Sequence, residues 1–299
     1  MERAAEVIGT GFDRVFLEHD CPPPAPGGER SIRNLAYTHF SVLLDTARRL
    51  AAVTAVNIDG RVLRDVPRGD DWHLDERVPA SEQAGPEVYA RNDLDRGHLV
   101  RRRDPVWGTD AVAARANTDT FAYTNAAPQA AGFNQSKELW NGLEDHVLAY
   151  ASSFALRLSV FTGPVFGDDD ALYRGVRIPT RFWKVAAWSD ARRGRLAAAG
   201  FLLDQSGQLD EIDLTEAAAG VTEADSVGSD ASGEGPSAGL RAAAPPLGPF
   251  RTFQVPVADI GRLAGLTMPA LERADVYLAP LAAAGRRWVA LERFGQIRL

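Results

Sequence analysis

The chain is short of the residues on which small secreted and membrane proteins depend. It holds one cysteine, Cys21, among 299 residues, which excludes an internal disulfide framework and any cysteine-based zinc site and fits a reducing compartment. Cys21 opens the run Cys21-Pro-Pro-Pro-Ala-Pro and reads as an exposed thiol beside a stiff arm. No stretch approaches about eighteen uninterrupted apolar residues. The N-terminal stretch, broken by Glu2, Arg3, Glu6, Asp13, Arg14, Glu18 and Asp20, has no apolar core of signal-peptide length. The expectation is a soluble, cytoplasmic protein with no membrane partner. Two enzyme classes also lack their signatures. Gly9-Thr-Gly has neither a preceding strand nor the third glycine of a dinucleotide fingerprint, and there is no Gly-Lys-Ser/Thr phosphate loop. No Gly-x-Ser-x-Gly elbow or Cys/His pair supports acyl transfer.

Basic residues are missing from one region. Between Asp204 and Glu234 there are nine acids and no lysine or arginine; subtracting those nine from the formal net charge of −7 leaves the remainder at +2. That remainder is compatible with a polyanionic partner. From Gln205 to Pro249 the chain is Ala, Gly, Ser, acids and Pro without a sustained apolar period. Such a composition buries too little surface to offset its ordering entropy and reads as a mobile acidic insertion at about 205–249.

The rest of the chain, 45% hydrophobic overall, is patterned for a packed core. A Pro/Gly-rich passage from Pro22 to Gly28 sets a short N-terminal segment, residues 1–36, apart from a body over 37–299. Phe40, Val42 and Leu44 alternate, and Ala51–Ile58 runs apolar to the turn signal Asp59-Gly60, so two strands are expected around a bend at Asp45–Arg49. Phe121 and Tyr123 alternate in a further strand, which Ala126-Ala-Pro-Gln breaks. Leu139, Leu143 and Val147 recur every four residues, predicting an amphipathic helix over Lys137–Ser152. Strands are expected at Leu156–Thr162, Phe182–Ser189 and Arg195–Leu203, helices at Val257–Gly265 and Met268–Ala274, and a closing strand within Arg287–Phe294. The order is that of an α+β fold rather than a βαβ repeat, and no internal repeat occurs.

The densest polar signal is Asn92-Asp-Leu-Asp-Arg-Gly-His-Leu-Val-Arg-Arg-Arg. Taken alone it is either a solvated charged loop or a site gathered around Gly97, whose lack of a side chain permits a tight approach. His39, His73 and His146 lack any partner pattern and are assigned no role.

The chain downstream of that segment carries a resemblance. Thr124-Asn-Ala-Ala-Pro-Gln, then Phe133-Asn-Gln, then Leu139-Trp-Asn-Gly-Leu-Glu, in this order after Asp95-Arg-Gly-His, resemble the DNA/RNA non-specific endonuclease family that includes endonuclease G. Thr162-Gly-Pro-Val-Phe, Ile178-Pro-Thr-Arg-Phe-Trp-Lys and Asp259-Ile-Gly-Arg-Leu-Ala-Gly-Leu look like later landmarks of the same family, so the resemblance runs from about Tyr37 to Ala274. It implies a mixed or antiparallel central sheet with flanking helices and a ββα-metal motif. It further implies hydrolysis of DNA and RNA phosphodiesters with Mg²⁺, for which Mn²⁺ can substitute.

The resemblance also implies roles. His98 is the general base, and its ordinary pKa near 6.5 leaves it largely neutral at physiological pH. Asn134 is the metal ligand, adequate for an ion that keeps most of its waters, and Glu144 assists the metal's hydration shell. Arg96 neutralises phosphate, Asp95 positions metal-bound water or holds the loop, and Asn125 orients the histidine or the metal-binding loop. Arg68, in Arg68-Gly-Asp-Asp-Trp, matches a second phosphate-binding arginine, with Arg64 as the competing match. Apart from the resemblance, the run Arg101, Arg102 and Arg103 reads either as a contact to the nucleic-acid backbone that does not read sequence or as a solvated basic loop. The pattern departs from the family twice: the stretch from Asn134 to Trp140 is two residues longer than is common, and Leu148 stands where an arginine is often found. A homodimer and an inhibitory or regulatory partner are further implications. The competing expectation is a catalytically silent or partner-controlled nucleic-acid-binding or effector module on the same fold.

Overall fold

A computed structural model of the chain describes residues 10–131, 149, 151, 153, 155–210, 212, 214, 251–277, 288–291 and 297. Its strands are β1 (Ala25–Pro26), β2 (Ile32–Ala36), β3 (Phe40–Asp45), β4 (Leu50–Asp59), β5 (Leu94–His98), β6 (Ala126–Ala130) and β7 (Arg157–Val165). They continue with β8 (Leu172–Tyr173), β9 (Val176–Arg177), β10 (Arg181–Asp190), β11 (Arg195–Asp204), β12 (Arg251–Val255), β13 (Leu266–Thr267) and β14 (Val289–Ala290). The helices are α1 (Pro86–Tyr89), α2 (Asp110–Asp119), α3 (Ser206–Leu209), α4 (Val257–Ala264) and α5 (Pro269–Ala274).

Eight strands form one antiparallel sheet in the order β14-β12-β11-β10-β7-β4-β3-β2. Because side chains alternate along a strand, neighbours such as Phe182 and Trp183 serve opposite faces, and each face has its own apolar core. On one face Phe40, Val42, Val56, Phe182 and Phe201 pack with Leu94, Leu99, Val100 and Ala127 of the β5–β6 region. On the other, Val53, Phe161, Trp183 and Leu202 pack with Ile260 of α4 and Leu271 of α5. Strand β4 is covered on both sides and buried throughout, which is why its sequence is a continuous apolar run rather than an alternation. Helix α4 ends at Gly265, whose φ of +62° and N–H bond to the Gly261 carbonyl close the last turn.

Three expectations are revised. The N-terminal stretch, from residue 10, is no separate arm: the Gly11 N–H donates to the Tyr37 carbonyl, Phe12 N–H to Ser41 Oγ and Asp13 N–H to Asn57 Oδ1, and β2 belongs to the large sheet. Cys21 is fully buried beside Leu17, not exposed, and burial pushes its thiol up to about 12, which removes thiolate chemistry. Residues 121–125 form a 3₁₀ turn over Tyr123–Asn125, and the strand comes next, at β6, through Pro128. The proline is tolerated because its carbonyl points away from β5, toward Gln205, so the N–H it lacks would not have paired with β5. Helix α2 carries little apolar signal since its buried face is Ala113, Ala116, Asn117 and Asp119. The helix expected over Lys137–Ser152 falls mainly outside the described residues, as does most of 205–249. The ends of that stretch are defined nonetheless: Asp204 pairs with Arg251 across β11 and β12, so the chain leaves and rejoins the sheet at one point.

Candidate active site

Leu94–His98 forms the first strand of a two-stranded antiparallel hairpin, β5–β6, whose strands are joined through α2 and which is separate from the large sheet. Asn92 fixes its start, donating from Nδ2 to the Val88 carbonyl at 2.7 Å and accepting the Leu94 N–H at 3.0 Å. The pairing sets Asp95 opposite Gln129, Arg96 opposite Pro128, Gly97 opposite Ala127 and His98 opposite Ala126. Arg96 and His98 therefore share one face, and Asp95, Gly97 and Gln129 share the other. Gly97 gives Gln129 its room: a Cβ there would lie 2.1 Å from Cδ of Gln129, and that side chain would have to move.

Asn125 holds the end of β5. Its Oδ1 accepts the Val100 N–H at 2.8 Å, and its Nδ2 donates to the carbonyls of Val100 and Thr120, both at 3.0 Å. The Leu99 N–H donates to the Asn125 carbonyl. With its amide saturated by backbone and wholly buried, Asn125 positions the residues after His98 and offers nothing to a ligand.

The His98 ring is partly buried, packed 4.7 Å from Trp72 and 5.2 Å from Phe121 between ring centroids. Its Nε2 is sealed from solvent and has no hydrogen-bond partner among the described residues. Burial, followed by the charges of Arg68, Arg102, Arg96 and Arg101, lowers its pKa to about 3. The imidazole is thus neutral at physiological pH, held so first by burial and then by the cationic surroundings, whose charge an anion would offset.

Those arginines differ in kind. Arg68 is exposed. Arg96 stands over the Trp72 ring, 5.3 Å from its centroid, donates to the Tyr123 hydroxyl and lies 3.9 Å from Asp70. Arg101 and Arg102 are interior rather than part of a solvated loop, and Arg102 Nη1 donates to the Val66 carbonyl and Asn117 Oδ1. Arg103 is half-buried in the turn after them.

Asn134 and Glu144 lie outside the described residues, as does His146. Among the described residues no group of three His, Cys, Asp or Glu side chains could hold a metal ion. His39 stacks on Trp107 and donates from Nδ1 to the Pro105 carbonyl, and His73 Nδ1 donates to the Asp71 carbonyl, so both have structural partners. Trp72, Tyr123 and Gln129 join the site although the sequence assigned none of them a role in it. The one available signal for Trp72 was its place at the end of Arg68-Gly-Asp-Asp-Trp. Among the described residues no helix is long and apolar enough to cross a membrane.

Comparison with known proteins gives the family and the fold. The chain is 37% identical over 284 residues to protein y4fB of Sinorhizobium fredii (strain NBRC 101917 / NGR234), a match that takes in 92% of this chain and 39% of that protein. The chain thus spans about two fifths of the length of this relative. A chain in the crystal structure of the EndoG/EndoGI complex shares the fold, with a TM-score of 0.56 at 19% identity, over 85% of this chain and 90% of that one. The family model for DNA/RNA non-specific endonucleases matches residues 24–274, a span that contains the β5–β6 hairpin, Asn125 and helices α4 and α5. The chain belongs to the DNA/RNA non-specific endonuclease family.

Proposed function

We propose that the chain is a magnesium-dependent, sugar-non-specific endonuclease that hydrolyses phosphodiester bonds of DNA and of RNA, with His98 as general base. The observation that carries this reading is an imidazole whose buried Nε2 has no partner among the described residues, on the strand face that also carries Arg96. A general base must be unprotonated; burial, and after it the arginines that attract the phosphate, keep His98 so. Binding of the anion offsets their charge and returns to the ring the part of its basicity that they remove. Nε2 then accepts a proton from water as the water oxygen bonds to phosphorus and the bond to the 3′ oxygen breaks, the released oxygen taking a proton from solvent. Arg96, with Arg68 at the exposed edge, offsets the charge gathering on the phosphoryl oxygens.

The described residues form no cation cage, and no step is assigned to the ion. Mg²⁺ would be held by Asn134 with Glu144 near its waters, and would supply charge neutralisation at the phosphate.

The test is cleavage of plasmid DNA and of RNA with Mg²⁺ and with EDTA. The expected result is cleavage of both substrates only with the metal, and a fall in kcat of about 10²–10⁴-fold in His98→Ala. Undiminished cleavage by that variant ends the assignment of the base. A partner-controlled form is a second reading, favoured by the sealed Nε2, which has to open before water reaches it. High activity of the purified chain alone counts against it.

A further inference from the structure

The hairpin that carries His98 shares no backbone ladder with the eight-stranded sheet, so something else must fix its attitude. The inner edge of β6 is used by β5. Its outer edge presents the Ala130 N–H and the Pro128 carbonyl, two residues apart and pointing the same way. Both meet one side chain. Gln205 Oε1 accepts the Ala130 N–H at 3.0 Å, and Gln205 Nε2 donates to the Pro128 carbonyl at 3.3 Å and to the Pro179 carbonyl at 2.7 Å. A single amide thereby imitates one residue of a third strand.

Gln205 is itself anchored. It comes directly after the last residue of β11, its N–H donates to the Thr180 carbonyl, and it is wholly buried. It thus joins the rigid interior of the large sheet to the strand directly behind Arg96 and His98, since Pro128 pairs with Arg96 and Ala126 with His98. The geometry points to Gln205 as a positioning residue that sets the catalytic hairpin at its working angle to the sheet.

This inference rests on the nuclease reading for its kinetic arm, and the experiment separates the two. Gln205→Met keeps the volume and removes all three side-chain bonds; Gln205→Glu, which keeps an acceptor for Ala130, is measured in the same way should the first variant not fold. Three quantities are compared with the parent: hydrogen exchange of the Ala130 amide, the NMR shift of the His98 imidazole, and kcat against KM on a short duplex. The expected result is faster exchange at Ala130 with unchanged exchange in β4 and β7, a moved His98 resonance, and kcat lower by about tenfold to 10²-fold at a KM within about twofold, as misplacement of a reacting group predicts. Parent-like exchange and kcat overturn the inference, as does a loss confined to KM or an exchange increase spread equally through β4 and β7. If the parent chain cleaves nothing, the nuclease reading fails while Ala130 exchange and the His98 resonance still decide the role of Gln205.

Discussion

The large sheet and the β5–β6 hairpin are built on different principles. The sheet is held by cross-strand ladders and by an apolar core on each face, so its stability is distributed over many small contributions. The hairpin is short, and beside the packing of Leu94, Ala127 and Ala130 on one core it is tied by three side-chain amides, Asn92, Asn125 and Gln205, each reaching for backbone. Around it lie buried polar atoms of Trp72, Tyr89, His98 and Gln129 that have no hydrogen-bond partner among the described residues. Buried polar groups without partners are costly and are kept where a ligand or a reaction uses them. One region makes the fold dependable, and the other concentrates risk where chemistry is done.

Matched glycine substitutions give the sharpest contrast. In the sheet, a Cβ at Gly163 would lie 2.4 Å from the Ala52 carbonyl oxygen and 3.0 Å from the Trp183 ring. Backbone cannot step aside, so Gly163→Ala is expected to cost about 3 kcal/mol of stability and to leave the activity of each folded molecule intact. At Gly97 the obstacle is the Gln129 side chain, 2.1 Å away at Cδ. It can shift, so the expected stability loss is nearer 1 kcal/mol while kcat falls by about 10²-fold through displacement of His98. Urea denaturation paired with kcat on the two variants tests this. If both lose stability and activity in the same proportion, the division between the regions is wrong.

Acid should distinguish the two regions as well. Burial and four arginines hold His98 down to about 3, below its ordinary value of about 6.5. The unfolded chain then binds more protons than the folded one between those values. This contribution to stability is complete above about pH 6.5 and is lost as the pH falls toward 3. At the end of β4, hydrogen bonding to Arg61 lowers the Asp59 carboxyl despite its burial, so that contribution holds down to about pH 4 and is lost only below. NMR should show no titration of His98 from pH 5 to 8, with the acid limb of kcat/KM below pH 5. An inflection of His98 near 6.5 would mean that its cationic surroundings do not act on it as the geometry implies.

The sheet was legible because half-buried strands write their alternation into the chain, as Phe40, Val42 and Leu44 do, and because Gly265 marks the end of α4. The hairpin was not. Its first strand is Leu-Asp-Arg-Gly-His and its second contains a proline, so neither carries an apolar period. Only the order of the motifs from Asp95 to Glu144 brought His98 and Arg96 forward. Leu17 and Cys21 were hidden by the prolines that come after them, which look like a linker although the chain before them is core. Gln205 could not be found locally at all, because its partner Ala130 is 75 residues away and the amide sits where composition turns acidic.

The smallest effect is expected from the acidic stretch itself. Strand pairing at Asp204 and Arg251 means that the intervening chain can be shortened without separating β11 from β12. The shortening must begin beyond Gln205 and beyond Leu209, which packs in the core. Removing residues 215–249 takes out five acids and one arginine, so repulsion of a polyanion declines while every described side-chain bond to the hairpin stays. Circular dichroism should match the parent, and KM for DNA should fall a few-fold in low salt and converge with the parent in high salt, where charges beyond about 10 Å are screened. A deletion that starts at Gln205 should differ in kind, lowering kcat, since it removes the amide that holds β6. If the shorter deletion unfolds the chain, the acidic stretch is part of the sheet's support, and the two regions are not as separable as their bonding suggests.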